Sequence, residues 1–256
     1  MKHKRLLFQT SLFLGAFFAY LLFPASVSAA IAFDAASSAK TTGSQTTLTF
    51  AHTVGSGTDT LLLVGVSVDA VASVVPTVSS VTYGGASLAF LDSDIYNTQE
   101  RVELWYLKNP QAGTANVVVT IGAARNFSAG AVSYIGIDQT TTFGTVVKKN
   151  GYSTTTSATL TSASDELAVS MIGIRAGTSI IATAGSGQTE RFQKGSGNTI
   201  TAFSEVAGAS SVTMSWSWTG SNVSFALVAV PLKPSAGGPP PPPPPPDATP
   251  PVRNSG

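Results

Sequence analysis

The sequence predicts an all-β protein: a jelly-roll-like antiparallel β-sandwich forming a single domain over residues 31–234, between a signal peptide (1–30) and a proline-rich tail (235–256). Three observations predict it. Apolar and polar residues alternate with a period of two through most of the span, with no competing 3.6-residue period. Clusters of Gly, Ser, Thr and Asn break the alternation at roughly 8 to 15 residue intervals, which is turn punctuation. Charged residues are only 11% of the chain, against about 25% in an ordinary soluble domain, too few for helices faced with ion pairs. Hydrophobic residues, at 43%, are enough for a core and exclude general disorder.

Met1 to Arg5 is cationic, Leu12 to Phe23 is an uninterrupted apolar run, Pro24 breaks it, and Val27-Ser28-Ala29-Ala30 offers small residues for cleavage after Ala29 or Ala30. Twelve apolar residues fall short of the roughly 20 that a spanning helix needs, so the run reads as a secretory signal rather than an anchor. The expected product is secreted or carried at the cell surface, with no membrane span after cleavage. Losing Lys2, Lys4 and Arg5 leaves 11 basic against 13 acidic residues, a net charge of −2, and no basic field for nucleic acid. The chain has no cysteine, hence no disulfide, thiolate metal site or cysteine nucleophile.

Within the domain, Thr60 to Asp69 is apolar on both faces and reads as a central strand. Val81 to Leu88 reads as a hairpin turning at Gly84-Gly85, whose glycines permit the positive φ of a primed turn, with Thr82 facing Ser87. Further strands are expected at Glu100–Leu107, Ala115–Ile121, Ala129–Ile137, Ser157–Leu160, Leu167–Ile174, Glu190–Gln193, Thr199–Val206, Ser211–Trp216 and Val223–Leu232. That many short strands suit two packed antiparallel sheets of jelly-roll type better than a seven-stranded immunoglobulin module. A parallel β-helix is the alternative, but it needs a fixed short repeat that the sequence lacks. Val117–Ile137 and Val212–Leu232 are similar strand-loop-strand segments, preceded by strands opening at Asp59-Thr60-Leu61 and Asp165-Glu166-Leu167, which suggests two similar halves.

At the far end, Pro239 to Pro246 is a run of eight prolines expected to form a polyproline II rod of roughly 25 Å. Such rods separate things, so the tail reads as a linker to downstream domains that this chain lacks, or as a stiff tail that reaches through an envelope.

Chemistry-bearing groups are sparse. Apart from His3 in the signal region, His52 is the one histidine; without a Gly-x-Ser-x-Gly elbow to serve, it is expected at a loop or strand end. One histidine and no cysteine cannot fill a zinc site. Asp92-Ser93-Asp94, read as a polar loop, gives two candidate calcium ligands, Asp92 and Asp94, and no other cofactor is indicated. Arg101, Glu103 and Trp105 alternate along one strand and share a face, with Val102, Leu104 and Tyr106 on the other. If the apolar side faces inward, a guanidinium, a carboxylate and an indole stand together outside, the best candidate ligand-binding face. The competing reading is a covered strand with a cross-strand ion pair. Val212, Met214, Trp216 and Trp218 alternate as core residues, with Trp218 placed to reach a rim and join a binding surface.

Leu61-Leu62-Leu63-Val64-Gly65-Val66-Ser67, Val81-Thr82-Tyr83-Gly84-Gly85, Val102-Glu103-Leu104-Trp105-Tyr106-Leu107, Gly130-Ala131-Val132-Ser133-Tyr134 and Ala229-Val230-Pro231-Leu232-Lys233-Pro234 together give the chain a recognisable texture. It resembles β-sandwich modules of unassigned function in large secreted bacterial proteins, found beside Pro-rich linkers and Ig-like or fibronectin-like repeats. The resemblance covers most of residues 31–234 and implies an accessory surface module, with no catalytic residue to carry over.

The expectation is therefore a non-catalytic extracellular binding module whose partner is a polysaccharide or another cell-surface ligand. The alternatives are an adhesive envelope protein assembling through sheet edges, whose low charge leaves them weakly guarded, and an exported glycan-active enzyme, which would need two acids facing across a cleft.

Overall fold

The structure is a computed structural model that describes residues 29–69, 75–175 and 180–236. The signal segment (1–28) and the polyproline run (239–246) lie outside the described residues.

The first half of the chain forms β1 (Ala32–Lys40), β2 (Gln45–Val54), β3 (Leu61–Asp69), β4 (Val78–Tyr83), β5 (Ala86–Ser87), β6 (Ala89–Tyr96), β7 (Glu100–Lys108), β8 (Gly113–Arg125) and β9 (Phe127–Ile135). The second forms β10 (Val147–Ser153), β11 (Thr155–Leu160), β12 (Leu167–Arg175), β13 (Ala182–Ala184), β14 (Thr189–Ser196), β15 (Thr199–Ala207), β16 (Val212–Trp218) and β17 (Val223–Leu232). Every pairing is antiparallel. The all-β jelly-roll reading holds, and the β-helix alternative does not.

The number of layers differs from expectation: the described residues form four sheets, not two. One five-stranded sheet has the order β1-β9-β3-β7-β6 and a second the order β10-β17-β12-β15-β14; a four-stranded sheet, β2-β8-β4-β5, and a three-stranded sheet, β11-β16-β13, complete the fold. The two halves share one topology, with β1 answering to β10, β3 to β12, β7 to β15 and β9 to β17; β5 is the one strand of the first half without a counterpart among the described residues. Each is a jelly roll of its own. The Val117–Ile137 and Val212–Leu232 segments are equivalent pieces, β8-β9 and β16-β17.

Three apolar cores separate the four layers. Leu62, Val64, Val66 and Val68 of β3 point into the first, against Val119 of β8 and Val81 of β4. Ile172 and Ile174 of β12 point into another with Trp216 and Leu227. Leu61 and Leu63 of β3 meet Val169 and Met171 of β12 in the middle core, where the two five-stranded sheets lie face to face. Strands of these inner sheets are therefore covered on both sides, which is why β3, β12 and β17 are written as nearly continuous apolar runs.

Glycine sets how closely the inner sheets approach. Gly65 and Gly130 are cross-strand neighbours on β3 and β9. A Cβ on Gly65 would lie 2.3 Å from the Met171 side chain, and one on Gly130 would lie 2.2 Å from the Phe192 ring. Contacts run between equivalent positions of the two central strands: Gly65 against Met171, Ser67 against Gly173, Asp69 against Arg175. The halves are thus related by a pseudo-twofold axis running along β3 and β12.

The Val81–Leu88 hairpin has the expected register, with Thr82 opposite Ser87 and φ of 55° and 88° at Gly84 and Gly85. After it the chain changes sheet. β5 pairs with β4 in the outer layer, and beyond the buried Leu88 β6 pairs with β7 in the inner one. The edges of the inner sheets are clasped in pairs. Lys148 of β10 pairs with Asp92 of β6 at 3.1 Å, and Thr41, just beyond β1, meets Ser196 of β14 at 3.1 Å. Charges at Asp92, Asp94, Lys148, Lys149 and Glu190 guard these edges, the usual protection against pairing with another chain.

Candidate functional site

Arg101, Glu103 and Trp105 do come together on β7, but not on an outer surface. The face they share looks toward the β2-β8-β4-β5 sheet, where Trp105 packs against the first core, and Val102 and Leu104 enter the middle core. Glu103 is 2% exposed, and its carboxylate is occupied on all sides. Oε1 accepts from Arg101 Nε at 2.6 Å and from the Val78 backbone N–H at 3.0 Å, and Oε2 accepts from the Trp105 indole at 3.1 Å. The Phe90 ring stands edge-on to Trp105 at 5.4 Å. This is a covered ion pair that pins β4 to β7, and the expectation of an outward binding face is corrected. A two-sheet sandwich leaves one face of each sheet to solvent; in a four-layer stack the two inner sheets, to which β7 belongs, have none.

Trp218 is likewise inside, 5% exposed and edge-on to Phe225 at 5.8 Å. It has no place at a rim. Asp92 and Asp94 lie in strand β6, not in a loop. Asp92 accepts from Lys148, and Asp94 Oδ1 accepts from Asn150 Nδ2 at 2.8 Å, so both acids tie β6 to β10.

His52 lies within β2 and is 2% exposed, rather than at a strand end. Ser37 Oγ is 2.9 Å from its Nδ1, its Nε2 is 3.2 Å from Ser133 Oγ, and Ser133 donates to Asp34 Oδ2 at 2.6 Å. Because Ser133 spends its one hydrogen on Asp34, it accepts from His52, so the proton sits on Nε2 and Nδ1 accepts from Ser37. Burial lowers the His52 pKa to about 4, against the opposing pull of the Asp34 charge. The network closes the edge of the first sandwich, where β1 and β9 of one sheet meet β2 of the other.

Among the described residues, two open clefts involve the second half. A cleft of about 720 Å³ lies where β10 turns out of the inner sheet into β11 of the outer one, lined by Lys149 to Ser153, by Thr155 to Ser157 and by Ser215 to Ser217. Gly151 lets β10 lie close to Phe225, whose ring would be 3.1 Å from an added Cβ. Beyond the corner, the Trp218 N–H donates to Thr154 O at 3.0 Å and fixes the turn. A second cleft, about 430 Å³, opens at the boundary between the halves, lined by Gln99, Tyr152, Arg175, Asn198, Asn222, Val223 and Ser224. Tyr152 lines both clefts and is 60% exposed.

Behind the second cleft lies a buried polar cluster. Arg175 Nε is 3.8 Å from Asp69 Oδ1, Asn198 donates to Asp69 Oδ2 at 3.3 Å, and Thr199 Oγ1 donates to Glu100 Oε1 at 2.7 Å. Burial raises the Asp69 pKa, with the Asn198 hydrogen bond and the Arg175 charge opposing it. Burial also holds the Glu100 carboxyl well above the usual carboxylate range, the Thr199 hydrogen bond opposing and the Asp69 charge reinforcing. Asp69 and Glu100 are direct cross-strand neighbours, but both are fully covered and neither lines the cleft.

Apart from Trp216, which alternation marks as a core residue, none of the cleft residues stands out in the sequence. Val-Lys-Lys-Asn-Gly-Tyr-Ser has no alternation to mark it as a strand, because an edge strand at an open corner needs no apolar face. The available signal is an isolated tyrosine among lysine, asparagine and glycine. No protein-family model, curated protein or solved structure matches the chain. Any functional reading must rest on the cleft itself.

Proposed function

We propose that this protein is a non-catalytic, exported binding module for polysaccharide, and that its ligand lies across Tyr152. The observation that carries the reading is the exposed Tyr152 ring between two open clefts whose other lining groups are mostly hydroxyls and amides. A sugar ring presents an apolar C–H face and a rim of hydroxyls. A flat aromatic side chain receives the first, and serine, threonine and asparagine groups satisfy the second. The signal-like N-terminus and the proline run agree with a module displayed outside the cell.

Pull-down on insoluble polysaccharides and affinity electrophoresis in gels containing soluble ones test the proposal with the wild-type chain and Tyr152→Ala. The variant should lose binding by about tenfold or more, as an aromatic anchor does, and keep its melting temperature, because the side chain is exposed. Undiminished binding by Tyr152→Ala overturns the assignment of the site.

A further inference from the structure

We infer that the protein pairs with a second copy of itself through the free edge of β11, joining two three-stranded sheets into one continuous antiparallel sheet. Sheet edges invite pairing unless charge, proline, a bulge or shortness blunts them. Among the described residues, each of the other edge strands has such a guard. β6, β10 and β14 carry charges, and β1 carries Asp34 and Lys40. β2 has a bulge between Gln45 and Thr47, and β5 and β13 are only two and three residues long. β11 has none of these: Thr155–Leu160 runs for six residues without a charge, a proline or a break in its register with β16.

The register fixes which backbone groups are free. Thr155 stands opposite Ser217, so Thr154 stands opposite Trp218, and that pair is hydrogen-bonded, the Trp218 N–H donating to Thr154 O. Bonded pairs alternate along an antiparallel ladder. Thr156, Ala158 and Leu160 therefore turn their backbone groups to β16, and Thr155, Ser157 and Thr159 turn theirs outward. Ser153 Oγ takes the Thr155 N–H at 3.2 Å, and among the described residues no protein group meets the outward N–H and C=O of Ser157 and Thr159. The strand is also nearly the same in both directions about Ser157, with a threonine two residues away on each side. Laid antiparallel on its twin with Ser157 at the twofold axis, it exchanges both bonds at Ser157, and each Thr159 N–H meets the other copy's Thr155 carbonyl. The exposed side chains then pair threonine with threonine, as Thr159 already pairs with Thr213 at 3.1 Å. β16 and β13 add no charge to the merged sheet, so no like charges are brought together. This self-match favours a second copy over an unrelated strand as the occupant.

Sedimentation equilibrium of the full chain over a concentration series tests this, with wild type, Ser157→Lys and Thr159→Pro run together. Wild type should pass from monomer to dimer as concentration rises. Ser157→Lys sets two ammonium groups against each other at the axis, and Thr159→Pro removes an outward donor without touching a backbone bond to β16. Each should raise the dimer dissociation constant about tenfold or more while the circular dichroism stays that of wild type. The chain has no cysteine, so Ser157→Cys reports the register directly. Bonded partners have Cα atoms about 5.5 Å apart, within disulfide reach. Oxidised Ser157→Cys should run as a covalent dimer, and Thr213→Cys, on the exposed face of the neighbouring strand, should not. A chain that stays monomeric at every concentration overturns the inference, even if an extended peptide adds to the same edge. A dimer indifferent to Ser157→Lys, or cross-linked no better by Ser157→Cys than by Thr213→Cys, overturns it as well.

Discussion

Substituting Gly130 by alanine tests the close approach of β9 to the Phe192 ring across the middle core. The added methyl would meet three atoms of the Phe192 ring at 2.2, 2.3 and 2.6 Å, whereas carbon atoms rest at about 3.5 to 4.0 Å. The ring must retreat by more than an ångström, and it is stacked on Phe203 with centroids 5.9 Å apart at 15°. Overpacking of this kind costs about 1–3 kcal/mol. For a protein of this size each kcal/mol moves the melting temperature by about 2–4 °C, so a fall of about 2–12 °C is expected. Scanning calorimetry or circular dichroism reads it. Gly122→Ala is the control: its Cβ would sit 3.8 Å from Ser79 Oγ on an exposed stretch of β8. It should be neutral or stabilising by up to about 1 kcal/mol, by restricting the unfolded chain. Trimming the ring with Phe192→Leu should recover part of the loss in the double variant. If Gly130→Ala melts at or above the control, the close seating of the two halves through glycine is wrong.

Four further outcomes are expected. The His52 imidazole has a pKa near 4 in the folded protein against 6.5 unfolded, so its contribution is complete above about pH 6.5 and drains away as pH falls toward 4. By pH 4 the loss is about 3 kcal/mol, and a melting profile flat over that interval contradicts the buried network. Glu100 has the opposite sign: its pKa is raised, so stability present at low pH is lost as pH rises through the folded value. Glu100→Gln keeps an acceptor for Thr199 and should raise the melting temperature near about pH 8 but not near about pH 4; equal melting at both conditions refutes this. Glu103→Ala strands Arg101, the Val78 N–H and the Trp105 indole, and urea titration should show a loss of about 3–5 kcal/mol; less than about 1 kcal/mol would remove the carboxylate from its role. A chelator should leave the melting temperature unchanged, since Asp92 and Asp94 already have Lys148 and Asn150 as partners; a drop of several degrees would return them to candidacy as calcium ligands.

Period-two alternation was enough to read the strands that have one dry side. The Val81–Leu88 hairpin was legible to the residue, because two adjacent glycines dictate the turn and the turn dictates the register. Alternation misleads where both sides are dry. On β7 it separates Arg101, Glu103 and Trp105 from Val102, Leu104 and Tyr106 correctly, yet says nothing about which set meets water. The missing signal lay in other strands: β9, β12 and β17 share with β3 the two-sided apolar character of an inner layer, and that many such strands cannot fit in a two-sheet slab. The groove was illegible for a different reason. Lys149, Tyr152, Arg175 and Asn198 come from three separate stretches, and only the turn between β10 and β11 and the seam between the halves assemble them.

Equivalent positions on β3 and β12 carry unlike residues that fit each other: Asp69 with Arg175, Gly65 with Met171, Ser67 with Gly173. Were either half to dock onto a duplicate of itself, aspartate would confront aspartate or arginine arginine, and the methionine would collide with its twin or leave a hole where two glycines met. Divergence between the repeats thus makes each the other's preferred mate.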